Sequence, residues 1–124
     1  MFTTRVVGVS FADPDNAKRQ RLLVIAQDRQ LLNPFADTRQ GEGLAVVLVR
    51  RPTNPHDPNA IEVHVPAIGD DGMVGHLPRD RAAELAPSLD GGEWAAQAEI
   101  MAVYVKDGIA NYGIGLRVWA VRRG

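Results

Sequence analysis

Asn54-Pro55-His56-Asp57-Pro58-Asn59-Ala60-Ile61-Glu62-Val63, followed after a short polar gap by Val74-Gly75-His76-Leu77-Pro78, decides the fold. A turn-forming block of Asn, Pro and Asp runs directly into alternating apolar and polar residues, the period of a strand with one face in a core. Ile61, Val63 and Val65 alternate with Glu62 and His64, and Gly69-Asp70-Asp71-Gly72 is turn chemistry that returns the chain into Met73 to Leu77. These residues predict a hairpin. Pro78 suits the first turn of a helix, whose stripe is Ala82, Leu85, Ala86 and Leu89. Pro87 is expected to kink or interrupt that helix, and Gly91-Gly92 to end it.

Upstream, Leu44 to Arg51 is a nearly continuous apolar run, expected as a central strand buried on most of its length and stopped by Pro52. Val7, Val9 and Phe11 alternate with Val6, Gly8 and Ser10, which predicts a first strand broken by Asp13-Pro14-Asp15-Asn16. Asn16 reads as the N-cap of a helix over Ala17 to Asp28, with Leu22, Leu23 and Ala26 on one side and Lys18 and Arg21 elsewhere. Asn33-Pro34 closes it, and Phe35 to Gly43 reads as a loop. Downstream, residues 94 to 104 form a long, bent strand, with a turn near Asp107-Gly108. Tyr112 to Val121 is the last strand, where Gly113 and Gly115 suggest a bulge or a close approach. The count describes one mainly β domain over residues 1–124: a small OB-like barrel of about six strands with one or two short helices and a helix and loop insertion at about 16–43.

The chain has 124 residues, 14 Lys and Arg against 15 Asp and Glu, and no Cys. Disulfides, thiolate metal sites and Cys nucleophiles are thereby excluded. A net charge of -1 argues against a non-specific coating of duplex DNA, which relies on a strongly basic face. No apolar h-region follows Met1 and no window approaches a membrane span, so a cytoplasmic protein without membrane contact is expected.

The two quoted segments resemble the HIRAN domain, found at the front of certain DNA-remodelling helicases and as small bacterial proteins. The likeness continues through Val6-Val7-Gly8-Val9-Ser10-Phe11, Leu48-Val49-Arg50-Arg51-Pro52 and Arg81-Ala82-Ala83-Glu84-Leu85-Ala86-Pro87. It implies a small barrel that accepts the 3′ end of single-stranded DNA. An acidic residue bonds the terminal 3′-hydroxyl, aromatics stack the end base and basic residues hold phosphates. On this chain the resemblance assigns Asp57 to the acidic position and Asn54 to the loop. His76 and Arg79 fall on the phosphate side, Arg51 is a further DNA-binding candidate, and Phe11 takes the first aromatic position, while its inward alternation suits a core residue equally. His56 stands where DNA-binding members usually carry Tyr, and Ser10 where a helicase-attached member carries a basic residue, so weaker stacking and one fewer phosphate contact are expected.

Three readings compete beside it. Asn54, Asp57 and Asn59 also suit plain turn caps on neighbouring backbone amides. A metal-dependent hydrolase would need His56, Asp57, His64, His76, Asp70 and Asp71 to converge, yet no ligand spacing links them. A protein-interaction or self-association module would use Trp119 or Leu31-Leu32-Phe35, which otherwise close the end of the barrel. The expectation is a binding module and not an enzyme, without cofactor or metal. It would recognise single-stranded DNA, with a repair or replication protein as a further partner and the oligomeric state left open.

Overall fold

In the computed structural model, residues 2–32, 43–69, 71–105 and 112–123 are described. Their elements run β1 (Phe2–Arg5), α1 (Val9–Ala12), α2 (Ala17–Asp28), β2 (Leu44–Arg50), β3 (Ile61–His64), a 3₁₀ turn (Pro66–Ile68), β4 (Met73–His76), α3 (Arg79–Asp90), β5 (Trp94–Val105) and β6 (Tyr112–Arg122). The strands form one antiparallel sheet in the order β1-β6-β5-β2-β3-β4. The sheet curls until its two edges meet beyond β1, where Val7 exchanges both backbone bonds with His76 at 2.8 and 2.9 Å. Ile61, Val63, Val74, Ile100, Val103, Ile114, Leu116 and Val118 fill the interior.

The predicted hairpin is present as β3 and β4, with Glu62 opposite His76. Gly75 makes the closure feasible. At φ 148° it lets the Val7 carbonyl approach so closely that an added Cβ would sit 2.4 Å from that oxygen and 2.6 Å from Val6 Cγ1. The first strand is shorter than the alternation predicted. Gly8 takes a left-handed φ of 73°, and residues 9–12 turn into a single helical turn held by Ala12 and Asp13 amides donating to the Gly8 and Val9 carbonyls.

α2 spans the predicted residues, but its capping differs. Asn16 sits left-handed at φ 61° and makes no side-chain cap. Asp13 supplies the cap instead, accepting the backbone N–H of Lys18 at 3.0 Å and of Arg19 at 2.8 Å. Lys18 belongs to the buried face with Leu22 and Ala26, one helical turn apart. Its ammonium donates to the Ala12 carbonyl at 2.8 Å and the Met73 carbonyl at 2.5 Å, with Asp71 at 3.3 Å. The Tyr112 hydroxyl donates to Asp13 Oδ2 at 3.1 Å. Burial, the Asp13 charge and that bond raise the phenol above its usual 10.0.

β2 is central but buried on one face only. Leu44 and Val46 point inward, while Val47 is half exposed. α3 runs through Pro87 to Asp90 although the proline removes the bond to the Ala83 carbonyl and crowds it. Arg50 donates to both Asp90 oxygens, at 3.1 and 3.0 Å, tying the end of β2 to the end of α3. On β5 a register shift between Ile100 and Ala102 supplies the predicted bend and turns Tyr104 outward, opposite Gly113. The ring lies over Gly113 and Gly115, with the Arg5 guanidinium 4.7 Å above it. Those glycines therefore accommodate an aromatic side chain, and the bulge lies on the partner strand. The predicted turn at Asp107-Gly108 and the loop over 35–42 lie outside the described residues.

Gly75→Ala tests the closure. The strained φ and the contact with the Val7 carbonyl should cost about 1–3 kcal/mol in urea unfolding, whereas Gly8→Ala, with open space around its Cβ, should cost no more than its left-handed φ demands.

Candidate functional site

The β2–β3 loop is closed by its own backbone. Arg51 donates to the Ala60 carbonyl at 2.9 Å, Asn54 to Arg51 at 3.2 Å, and Ala60 to Asp57 at 3.1 Å. Asn54 Oδ1 accepts the amides of His56 at 2.8 Å and Asp57 at 3.1 Å. Asp57 Oδ1 accepts the Asn59 amide at 2.9 Å. The turn-cap role expected for Asn54 and Asp57 is therefore present. Asn59 contributes through its backbone.

The cap leaves the second oxygen of Asp57 uncommitted to the loop. Oδ2 lies 3.7 Å from Arg79 Nε, with the Asp57 side chain 18 % exposed and Arg79 75 % exposed. Arg79 opens α3, and its guanidinium also donates to the His56 carbonyl. The carboxylate is largely sheltered, the cation stands in solvent, and His56 is exposed beside them. The fold thus brings Asn54, His56, Asp57 and Arg79 into one cluster, as expected from the sequence.

Arg51 and His76 occupy the adjoining outer face. Arg51 turns from the loop to donate to Glu62 Oε1 at 3.0 Å, and the same oxygen meets His64 Nε2 at 2.9 Å. His76 lies across the strand pair from Glu62. Its backbone is committed to Val7, while its half-buried ring makes no hydrogen bond among the described residues. α1, which bears Phe11, packs against β4; the position of the Phe11 side chain is not described. Sequence reasoning missed Glu62 as the hub of this row. Its signal was the i, i+2 spacing to His64 on the solvent face of β3, which puts the two side chains side by side.

Burial acts to raise the Glu62 pKa, but the hydrogen bonds and charges of His64 and Arg51 outweigh it, and the carboxyl falls below its ordinary 4.5. Among the described residues no three His, Asp or Glu side chains gather as metal ligands would; Asp70 lies outside them. Of the proposed docking segment, Leu31 is fully buried, its carbonyl accepting the Val103 amide at 2.9 Å, and Leu32 bridges to Val103. Phe35 lies outside the described residues. Trp119 is half-buried, lining with Phe2 and Leu85 a cleft of about 220 Å³. No described helix is long and apolar enough to cross a membrane.

A small curled β-sheet with a proline-braced loop against a strand-to-helix corner is the class of domain that these features define. The sequence matches the HIRAN domain over residues 2–121, and the chain belongs to that family. Among solved structures it is similar to the HIRAN domain of human HLTF, with 21% identity, a TM-score of 0.55, and coverage of 96% of this chain and 72% of that one. A Lactobacillus plantarum protein is similar at 21% identity and TM-score 0.57, over 95% of this chain and 92% of that one. These likenesses show the fold. A Fanconi-associated nuclease 1 homolog from Oryza sativa subsp. japonica is 45% identical over 49 residues, 40% of this chain and 5% of the relative's length.

The depressed Glu62 pKa sets a pH window. A carboxylate lowered on folding adds stability above its unfolded pKa, near 4.5, and that contribution disappears as pH falls through the folded value. Relative to Glu62→Gln, the parent should be more stable by about 0.5–1 kcal/mol at pH 7, with the gap in Tm closing by pH 3.

Proposed function

We propose that the cluster of Asn54, His56, Asp57, His76 and Arg79 receives the 3′-hydroxyl end of a single DNA strand. HIRAN membership supports nucleic-acid binding in general. The observation that carries the finer reading is the split duty of Asp57. One oxygen is fixed by the Asn59 amide while the other lies 3.7 Å from the solvent-exposed Arg79 guanidinium. A fixed carboxylate accepts from a terminal hydroxyl and repels a terminal phosphate, so it selects a true end. Arg79 lies one residue-width away, where the last phosphodiester would follow, and the Arg51 guanidinium provides a second cation on the adjoining face.

The loop enters binding already ordered, because Pro55, Pro58 and the Asn54 cap hold its shape, and little conformational entropy is left to lose. Base stacking falls to Phe11 and the exposed His56, a sequence-independent contribution of roughly 1–3 kcal/mol per stacked base by general experience. Few phosphates are engaged. We read the domain as a binding module rather than an enzyme, serving a DNA repair or replication factor as its partner.

Fluorescence anisotropy with short oligonucleotides tests the reading. A strand ending in 3′-hydroxyl should bind about tenfold more tightly than the same strand ending in 3′-phosphate. Asp57→Asn keeps the Oδ1 acceptor for the Asn59 amide, so it should fold with near-parental stability and lose that preference; an Asn variant that discriminates as the parent does would sink the assignment. The logarithmic salt dependence should correspond to about two or three released counterions.

A further inference from the structure

The family resemblance assigns Phe11 to the site, yet Phe11 rides on a helix of one turn, too short to hold its own position in water. Something outside α1 must fix it. Its leading end is set by the Val7–His76 bridge and the left-handed turn at Gly8. At the trailing end stands Lys18, a residue that the end-binding reading does not use. The Lys18 side chain is 9 % exposed, and its ammonium joins the carbonyl of Ala12, the last residue of α1, to that of Met73, the first residue of β4.

Burying an ammonium is costly, and a buried Lys whose only task was to line the α2 face with Leu22 and Ala26 would be better replaced by Met or Leu. Asp71, its ion-pair partner among the described residues, is 84 % exposed and offers a weak, screened attraction. The ammonium is therefore committed mainly to two backbone carbonyls, one on α1 and one on β4. β4 is an edge strand that, among the described residues, is bridged to the β1 side of the sheet only at His76. Where the chain runs on from Val7 into α1, Lys18 adds a second link to β4, from the far end of that turn to Met73.

We infer that Lys18 is a positioning residue for the end-binding site, holding α1, and hence Phe11, in register with His76 on β4. The inference rests on the reading given under Proposed function. Lys18 need not touch the ligand. It acts through the α1–β4 distance, so its removal affects stacking and leaves the Asp57 selection of the terminus in place.

The test combines Lys18→Met, which keeps the buried stem and removes the ammonium, with Phe11→Ala and the double variant. Lys18→Met should weaken binding of 3′-hydroxyl strands about tenfold while keeping the parental ratio between hydroxyl and phosphate ends. In the Phe11→Ala background it should weaken binding no further, because both changes remove one contribution. Asp13→Asn is the stability control: it weakens the α2 cap and the Tyr112 bond without breaking the clamp, and should lower Tm more than it lowers affinity. Hydrogen exchange reads the clamp without DNA, with the Ala12 and Asp13 amides protected in the parent and exchanging at least tenfold faster in Lys18→Met. Parental affinity in Lys18→Met, or full additivity with Phe11→Ala, would overturn the inference. So would fast exchange of those two amides in the parent, a result that decides the matter even if Lys18→Met does not fold. A parent that fails to distinguish the two termini would instead overturn the end-binding reading, and the exchange arm alone would then judge the clamp.

Discussion

The pair of backbone hydrogen bonds between Val7 and His76 is the constraint on which the molecule depends. Six strands curl around one core, and among the described residues the two edges of the sheet are bridged at this one residue pair. The approach is close enough that position 75 admits no side chain, and the same approach places α1 beside β4. Fold closure and site assembly thus use one contact. His76 serves both, its backbone joining the edges while its ring faces the outer row with Glu62.

Next to that contact lie the two buried charged residues among the described residues. Asp13 and Lys18 are both buried, five residues apart, and they serve different partners. The Asp13 carboxylate accepts two amides of α2 and the Tyr112 hydroxyl, and the Lys18 ammonium reaches two carbonyls. Leaving any of these groups unpaired costs more than an average hydrogen bond supplies, so the network specifies the arrangement of α1, α2, β4 and β6 more than it adds net stability.

Elements defined by periodicity were readable in the sequence. The β3–β4 hairpin, α2 and α3 follow their apolar repeats, and the mainly β architecture follows from the strand count. What escaped depended on tertiary partners or on a single dihedral. Alternation over residues 7–11 looks like a strand until Gly8 adopts its left-handed conformation. Lys18 reads as solvent-facing because Met73, one of its acceptors, is 55 residues distant in sequence. Asn16 reads as a cap, but Asp13 reaches the α2 amides first through the turn between them. At the candidate site the loop and its Arg79 partner were legible from residue type and order. The Arg51–Glu62–His64 row was not, because a charged residue alternating with Ile61 and Val63 ordinarily signals nothing beyond a solvated face.

The edges of the sheet carry one more consequence. β1 and β4, the outermost strands, are each four residues long. The β1 side carries Arg5 over Tyr104 and Arg81 over Phe2, while the β4 side is occupied by Val7 and by the Lys18 ammonium. A neighbouring chain seeking to extend the sheet finds short ladders, bulky guanidinium groups and backbone positions already taken. The devices that shape this small barrel also guard it against strand-to-strand aggregation, a hazard for any β protein that leaves a long edge unpaired.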